Sequence, residues 1–278
     1  MHERVQSRDR YLVQAKRSRM STPFLTTSQI AYHAAGKSIL SGIDLTLTSG
    51  RICGLVGQNG SGKSTLLKIM AREIAPTSGG VELKGEAISR WDARPFARQV
   101  AYMPQFTPAT DSMTVRELVA LGRFPWHGTL GRFTSADQKL VDEAIERTDL
   151  ERFADSPVAS MSGGERQRAW IAMMLAQNAQ CLLLDEPTSA LDLLHQDSVL
   201  ALLRELSHER RLTIVVVLHD INLAARYCDE IVALRKGRIS AHGTPADIVR
   251  SDVLKSVFDL EMGVFPHPVS NDPISYVL

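Results

Sequence analysis

Cysteine is scarce in this 278-residue chain, and no run of apolar residues is long. The three cysteines, Cys53, Cys181 and Cys228, are odd in number and lie far apart in mostly apolar surroundings. This pattern favours buried thiols in a reducing compartment over disulfides or a zinc site. A helix needs roughly 18 to 20 consecutive apolar residues to cross a bilayer, and charges interrupt the best runs here, residues 181–184 and 214–218. The sequence therefore predicts that the chain does not span a membrane.

An excess of charge of either sign is also absent. Lys and Arg together number 32 and Asp and Glu 31, which gives a formal net charge of +1. Non-specific nucleic-acid binding requires a broad basic surface, so the balance disfavours that class. The positive excess lies in residues 1–20, which have no apolar segment of the kind a secretory signal contains. We expect residues 1–20 to be a disordered leader; the alternatives are a basic arm on anionic lipid and a true start at Met20.

Apolar residues make up 44% of the chain and charged residues 23%, which is typical of a globular protein with a substantial core. Residues 29–85 read as short strands with turns, interrupted by one helix over residues 63–74. Residues 181–185 and 213–219 are continuous apolar runs, as in strands buried on both faces of a parallel sheet. Helical stretches accompany them over residues 165–178, 191–209 and 221–227. The alternation predicts an α/β fold.

Two regions depart from this alternation. Residues 105–161 contain helical patterns without a strand, which predicts a helical subdomain over about residues 106–160, inserted in the core. After Gly243 we predict short helices over residues 245–250 and 252–258, then an irregular tail that contains several prolines. The ordered domain is predicted to span residues 21–278, with a C-terminal extension over about residues 251–278. The helix over residues 191–209 is predicted to bury an apolar stripe that includes Leu194.

One segment has the pattern of a phosphate-binding loop and stands between a predicted strand and a predicted helix. Its residues are Gly57, Gln58, Asn59, Gly60, Ser61, Gly62, Lys63 and Ser64. Glycines let the backbone curl around phosphates and aim several N–H groups inward. Lys63 and the helix N-terminus bring positive charge to the phosphates, and Ser64 offers a hydroxyl to Mg²⁺. The pattern predicts an ATP site, to which we also assign Thr65.

Two adjacent carboxylates, Asp185 and Glu186, follow the apolar strand at residues 181–184. Ligands bind at the carboxyl edge of a parallel sheet, so both are predicted beside the phosphate loop. In phosphate-loop hydrolases the first acid holds the Mg²⁺ shell, and a second one is placed to polarise the attacking water. We assign Asp185 to Mg²⁺ together with Ser64, and Glu186 to catalysis. The alternative is that the pair caps the next helix.

The segment SGGERQ begins with Ser162, Gly163 and Gly164 and leads into a predicted helix. Together with the phosphate loop and the string LLLDEPTSALD, it resembles the nucleotide-binding subunit of ATP-binding-cassette (ABC) transporters. The resemblance implies a P-loop NTPase core, in which helices flank a mostly parallel sheet, with an N-terminal antiparallel β part and an inserted helical subdomain. It also implies that Ser162, Gly163 and Gly164 contact the γ-phosphate of ATP held by the opposite subunit. Two ATP molecules would then be sandwiched in a head-to-tail dimer.

The resemblance implies roles for three further side chains. Gln105 matches the glutamine that senses Mg²⁺ and the attacking water, and His219 matches the switch histidine that contacts the γ-phosphate. We therefore assign Gln105 and His219 to catalysis, and Gln105 also to the metal; a merely well-packed histidine is the alternative for His219. Tyr32 matches the aromatic that stacks on adenine, although an aromatic in an N-terminal strand is commonly part of the core. Residues 189–192 match the loop that lies across the dimer seam.

At finer grain, the strings RFPWHGTLGRF and SGGERQRAWIAMMLAQ resemble the ATPase of bacterial ferric-siderophore importers, closest to the hydroxamate type. The resemblance implies an ATP hydrolase that binds in two copies to transmembrane permease subunits at the cytoplasmic face of the bacterial inner membrane. It also implies that a solute-binding protein is an indirect partner. Importers of vitamin B12 or haem are alternatives, because no residue here would touch the chelate. A soluble cassette ATPase of translation or DNA repair is disfavoured by the single phosphate loop and the lack of a long coiled-coil insertion.

An aromatic-rich turn, Phe124-Pro125-Trp126-His127, lies in the predicted helical region. Such a turn either fills the interior of a small subdomain or belongs to an exposed apolar patch that contacts a partner. The family resemblance favours the second reading, with Trp126 at the border of a groove in which a permease helix docks.

Overall fold

The computed structural model describes residues 23–106, 108, 110, 112–128, 131–189 and 191–278. The predicted leader, residues 1–20, lies outside these ranges, as does Ala190 of the predicted seam loop. Over the ranges described, none of the helices combines the length and the apolar character that crossing a bilayer requires.

Strands and helices alternate along most of the chain. The strands are β1 (Pro23–Ala34), β2 (Lys37–Thr48), β3 (Ile52–Val56), β4 (Ser78–Leu83), β5 (Glu86–Ala87), β6 (Val100–Met103), β7 (Cys181–Leu184), β8 (Thr213–Val217), β9 (Glu230–Arg235), β10 (Arg238–Gly243), β11 (Met262–Pro266) and β12 (Pro273–Val277). The helices are α1 (Lys63–Met70), α2 (Ala93–Ala97), α3 (Val115–Leu121), α4 (Phe124–His127), α5 (Ser135–Arg147), α6 (Gly163–Ala176), α7 (Leu193–Arg210), α8 (Ile221–Tyr227), α9 (Pro245–Ile248) and α10 (Ser251–Phe258).

Two sheets form the centre of the fold. An antiparallel sheet has the order β2-β1-β4-β5, and a mostly parallel sheet has the order β10-β9-β3-β8-β7-β6. Every residue of β3, β7 and β8 is buried, so the continuous apolar runs correctly predicted strands covered on both faces. One apolar core lies around α1 between the two sheets, and the other covers the opposite face of the parallel sheet and continues into α3, α5 and α6.

The described residues between 106 and 160 contain helices and no strand beyond an isolated bridge. Helices α3 and α5 begin with capping boxes, in which Thr114 pairs with Glu117 and Thr134 pairs with Asp137. Arg123 donates from Nε to Asp137 at 2.9 Å, and this ion pair is buried. Burial raises the pKa of Asp137, but the Thr134 hydrogen bonds and the Arg123 charge outweigh it and lower the pKa to about 2.

The aromatic-rich turn forms α4, and Trp126 within it is 38% exposed. The indole Nε1 donates to the Gln177 carbonyl at 2.7 Å, at the end of α6. The Arg98 and Arg123 guanidinium carbons lie 4.9 and 5.0 Å from the ring centroid, within the range of a cation–π interaction. Trp126 is therefore anchored at the junction of the helical region with the sheet, and Phe124, at 47% exposed, is the more accessible aromatic.

Three expectations about single elements are wrong. Helix α1 ends at Met70 and not near residue 74, because Arg72 adopts a left-handed conformation (φ 64°) and the Glu73 amide donates back to the Lys68 carbonyl, which closes a Schellman motif. Leu194 is 73% exposed, because the first turn of α7 projects beyond the core. The irregular tail is instead an antiparallel hairpin of β11 and β12, closed by a pairing of Pro266 with Pro273.

Candidate active site

The predicted site residues follow the carboxyl ends of neighbouring strands. The order β3-β8-β7-β6 places the ends of these parallel strands side by side. Gly57 directly follows β3 and Asp185 directly follows β7, while His219 and Gln105 each stand two residues beyond β8 and β6. The sheet topology therefore collects side chains that are up to 162 residues apart in sequence, between Gly57 and His219, at one edge.

The phosphate loop needs its glycines for two separate reasons. Gly57 has a φ of 138°, and a Cβ there would come within 2.1 Å of the Leu234 carbonyl oxygen on β9. Gly62 has a φ of 104°, and a Cβ there would come within 2.5 Å of the Leu40 side chain on β2. Both backbone conformations are ones that L side chains rarely adopt. The loop is thus packed between the two sheets, directly before the start of α1.

Lys63 is the buried cation of the loop. Its Nζ donates to the carbonyls of Gly57 at 2.8 Å and Gln58 at 3.1 Å, so the side chain arches back over the loop. Burial lowers the pKa of Lys63, and the carboxylates of Glu186 and Asp185 act in the opposite direction. An ammonium group held in this position can compensate the charge of a bound phosphate.

The Ser61 hydroxyl lies within the same loop and is buried without a hydrogen-bond partner among the described residues. A buried polar atom of this kind carries a desolvation cost of about 1–3 kcal/mol. A phosphate oxygen in the loop would accept a hydrogen bond from this hydroxyl, so the unpartnered Ser61 side chain fits a nucleotide as ligand.

Asp185 and Ser64 form a pair of oxygen donors beside the loop. The Ser64 hydroxyl donates to Asp185 Oδ1 at 2.8 Å, and the Asp185 side chain is buried. Burial raises the pKa of Asp185, and the hydrogen bond from Ser64 works against that shift. A carboxylate and a hydroxyl at a phosphate loop match the oxygen ligands that Mg²⁺ takes, so the donor set fits this ion.

Glu186 stands at the centre of a second group. Gln105 Nε2 donates to Glu186 Oε2 at 2.6 Å, and His219 Nε2 lies 2.7 Å from Glu186 Oε1. Glu186 itself has a φ of 52°, an unusual conformation for a side-chain-bearing residue, and its carbonyl accepts hydrogen bonds from Ser189. The three side chains predicted for catalysis therefore converge, with the carboxylate of Glu186 between the other two.

The phosphate loop, Ser64 and the three side chains around Glu186 open onto one cleft with a volume of about 630 Å³. The residues that line it are Ile39, Asn59, Gly60, Gly62, Lys63, Ser64, Thr65, Gln105, Glu186 and His219. Tyr32 is not among them: it is half-buried on β1, where it pairs in register with Leu40 of β2. Ile39, which sequence reasoning missed, lies next to Leu40 and brings β2 to the edge of the cleft. No sequence motif marks an apolar residue in a hairpin strand as part of a nucleotide cleft, so Ile39 could not be identified from the sequence.

The segment from Ser162 to Gly164 lies outside this cleft, at the N-terminus of α6. Ser162 caps the helix: its hydroxyl accepts from the Glu165 amide at 3.3 Å and donates to Glu165 Oε2 at 2.7 Å. These hydrogen bonds lower the pKa of Glu165. A Cβ on Gly164 would come within 2.4 Å of the His195 ring, so this glycine permits close contact with the start of α7.

His195 is a second residue that sequence reasoning missed. Its Nδ1 lies 2.7 Å from Asp192 Oδ1, and its backbone amide donates to the same oxygen at 3.0 Å. His195 therefore joins Asp192 to the glycine at the start of α6. The sequence could not predict the contact between His195 and Gly164, because the two residues are 31 positions apart and no motif links them.

Comparison with known sequences gives a consistent result. Residues 40–189 match the sequence profile of the ABC transporter family. The achromobactin transport ATP-binding protein CbrD of Dickeya dadantii is 42% identical over 250 residues, which cover 90% of this chain and 93% of that protein. The iron(3+)-hydroxamate import ATP-binding protein FhuC of Bacillus subtilis is 40% identical, with coverage of 90% and 93%. The hemin import ATP-binding protein HmuV of Streptomyces coelicolor is 43% identical over 85% of this chain and 83% of its own length.

Solved structures share the fold over the same extent. A metal-chelate type ABC transporter in an inward-facing conformation aligns with a TM-score of 0.80 and 27% identity, covering 92% of this chain and 97% of that one. A dimeric bacterial ABC transporter cassette aligns with a TM-score of 0.69 and 28% identity, covering 79% and 98%. A post-hydrolysis form of that cassette, dimeric and bound to ADP and Pi, aligns equally well.

Proposed function

The chain belongs to the ABC transporter family as an ATP-binding subunit, and from that membership we propose that it hydrolyses ATP to drive uptake of a ferric siderophore through a partner permease. The observation that carries the proposal is that the phosphate loop and Glu186 line one cleft, and that the buried Asp185 accepts a hydrogen bond from Ser64, which also lines that cleft. The similarity to siderophore-import ATPases along nine-tenths of the chain supports the direction and the cargo of transport.

The phosphates of ATP would lie in the loop from Gly57 to Ser64. Backbone N–H groups and the N-terminus of α1 favour the negative charge there, and Lys63 adds a full positive charge. Asp185 and Ser64 would hold Mg²⁺, which when bound neutralises charge on the phosphate oxygens. We keep Tyr32 as the proposed adenine contact, reached from the β1–β2 side of the cleft.

Glu186 is the proposed general base. The attacking water would give its proton to the Glu186 carboxylate while its oxygen bonds to the γ-phosphorus and the bond from that phosphorus to the β-γ bridging oxygen breaks. Gln105 and His219 contact opposite oxygens of the carboxylate, so they fix its orientation toward the cleft. His219 is 45% exposed at the side chain and can also reach a phosphate oxygen.

ABC cassettes form dimers, and we propose that the active site of this chain is completed by a second copy. Ser162, Gly163 and Gly164 lie at a helix N-terminus outside the cleft that their own phosphate loop lines. A second copy in head-to-tail arrangement would bring these residues to the γ-phosphate across the seam, where residues 189–192 also lie. His195 would then tie the seam loop to Gly164.

The helical region, proposed as a subdomain over about residues 106–160 of a domain spanning 21–278, supplies the candidate surface for permease subunits. Large apolar side chains are exposed there, with Phe106 at 83%, Phe124 at 47% and Phe133 at 42%. Exposed apolar residues that cluster in one segment mark partner surfaces. The chain would thus be peripheral, bound through the permease at the cytoplasmic face of the bacterial inner membrane.

The cargo is proposed at the level of a ferric siderophore, with the hydroxamate type as the first candidate. Identity to relatives named for achromobactin, hydroxamates, petrobactin, enterobactin, hemin and cobalamin stays between 38% and 43%. We therefore assign chelate selectivity to the permease and the solute-binding protein. Haem is the second candidate, favoured by the 43% identity to the hemin-import relative.

The test is uptake in the native host after deletion of the gene. Cells that lack this chain should lose energy-dependent uptake of radioactive iron from a ferric hydroxamate, and the wild-type gene should restore it. A gene that encodes Lys63→Ala should not restore it, because the phosphate charge is left uncompensated. Uptake of haem is measured in parallel. Normal uptake of both iron sources in the deletion strain would contradict the proposed function.

A further inference from the structure

The C-terminal hairpin forms an apolar groove that opens beside the active site. The groove lies between the start of α8 and strands β11 and β12, with a volume of about 530 Å³. Its walls include Ile221, Leu260, Tyr276 and Val277, and its rim is His219, which also lines the nucleotide cleft. We name it the C-terminal groove. Leu260, Tyr276 and Val277 are 43%, 48% and 61% exposed, so the apolar surface is accessible in the isolated chain.

The hairpin is held firmly against the helix that follows His219. The Asn222 side chain accepts from the Ser275 amide at 2.8 Å and donates to the Ser275 carbonyl at 3.0 Å, as a neighbouring strand would. The Ser275 hydroxyl also donates to Asn222 at 3.0 Å. Because Asn222 stands three residues after His219, the position of the hairpin is tied to that of the switch histidine.

A hydrogen bond also connects the segment before the hairpin to the phosphate loop. Gln58 Nε2 donates to the Phe258 carbonyl at 2.5 Å, at the end of α10 and directly before the hairpin. Arg235, at the end of β9, donates to the Ser256 carbonyl at 2.7 Å and contacts Asp259. The groove is therefore fixed to two parts of the nucleotide site, and it lies on the face of the molecule where that site opens.

We infer that the C-terminal groove is a second contact between the two copies of the chain in the ATP-bound dimer, next to the sandwiched nucleotides. The inference rests on the proposed function, because it needs a dimer that closes over the phosphate loop. A partner that covers this loop and His219 must also approach Leu260 and Val277, since both surfaces share His219 as their border. The exposed aromatics proposed for the permease belong to the helical region instead.

The contact would give these exposed apolar side chains a role in assembly. An apolar groove that is covered only in the closed dimer adds burial to that state and none to the separate chains. The hairpin would therefore stabilise the ATP-bound dimer beyond what the two nucleotides and the residues from Ser162 to Gly164 contribute.

The experiment uses single cysteines as reporters in the full chain with Glu186→Gln, which is expected to hold the dimer closed. Native Cys53, Cys181 and Cys228 are buried and should not react with a thiol reagent in the folded protein. Val277→Cys places a reporter in the groove. Val269→Cys is the matched control, because Val269 is 89% exposed on the connection of the same hairpin and lies outside the groove.

On addition of Mg·ATP, labelling of the cysteine at position 277 should slow by about tenfold or more, while labelling at position 269 should stay within about twofold. In parallel, Val277→Asp should raise the chain concentration needed for half-dimerisation by about tenfold, because it buries an unpaired charge. Val269→Asp should leave that concentration unchanged. Circular dichroism and nucleotide affinity verify that both variants are folded.

Three results would overturn the inference. If the dimer forms and both reporters keep their ATP-free rates, the groove is not in the interface, although the proposed function stands. If position 277 is protected only when membranes containing the permease are added, the permease covers the groove. If Mg·ATP produces no dimer of Glu186→Gln at all, the composite site of the proposed function fails first and this contact fails with it.

Discussion

Trp126→Ala is expected to lower the stability of the chain measurably. With 38% of Trp126 exposed, its burial removes about 120 Å² from water, which at about 25 cal/mol per Å² stabilises the folded state by about 3 kcal/mol. Loss of the Nε1 hydrogen bond to the Gln177 carbonyl adds about 1 kcal/mol. The cation–π contacts with Arg98 and Arg123 would be lost as well.

A chain of this size loses about 2 to 4 °C of melting temperature per kcal/mol, so Trp126→Ala should melt roughly 8 to 16 °C below the wild type. The assay is differential scanning calorimetry without nucleotide. Trp126→Phe, which keeps a ring between the two guanidinium groups, should lose less than half as much. Phe124→Ala is the comparison for docking: Phe124 is more exposed and has no ring hydrogen bond, so this variant should lose less melting temperature than Trp126→Ala and hydrolyse ATP normally, but lose stimulation by the permease.

A melting temperature of Trp126→Ala within about 2 °C of the wild type would refute this reasoning. The contacts at the end of α6 would then contribute nothing, and Trp126 would belong to the docking surface that the family resemblance favours.

Three further predictions concern the active site and the helical region. Glu186→Gln should bind ATP and hold the dimer closed, while its steady-state rate of ATP hydrolysis falls by a factor of at least about 10². Lys63→Ala should instead lose nucleotide affinity in an equilibrium binding assay. The same defect in both variants would contradict the separation of their roles. A mixture of Ser162→Arg and Lys63→Ala chains should regain ATP-dependent dimerisation by size exclusion, since one composite site stays intact, and elution identical to the separate variants would count against shared sites. The Asp137 pKa, lowered to about 2, means that its contribution to stability is complete above the unfolded pKa of about 3.9 and is lost as the pH falls through about 2. The difference in melting temperature between wild type and Asp137→Asn should therefore shrink from pH 5 to pH 2, and a constant difference would exclude this linkage.

The parallel core, and the close approach of the side chains proposed for catalysis, could be predicted because both depend on short, local patterns. A continuous apolar run marks a doubly covered strand, and the residue that follows it lies at the sheet edge. Asp185, Glu186 and His219 each follow such a run, so their convergence follows from strand adjacency alone.

The C-terminal hairpin could not be predicted in the same way. By sequence alone, Pro266 and Pro273 predict irregular structure. Proline is nevertheless tolerated at the ends of strands in a two-stranded ribbon, and here the two prolines face each other. The bonds that hold this hairpin join Asn222 to Ser275, which are 53 residues apart. Only the packed tertiary structure determines which distant side chain pairs with an exposed strand edge.

Burial raises the pKa of the Cys53, Cys181 and Cys228 thiols well above the ordinary range, so almost none of each is thiolate at neutral pH. Peroxide attacks the thiolate and needs access to it, and both conditions fail here. The proposed cargo carries the metal that turns peroxide into radicals. Because all three thiols are buried, this subunit should keep its ATPase rate under peroxide doses that inactivate thiol-dependent enzymes.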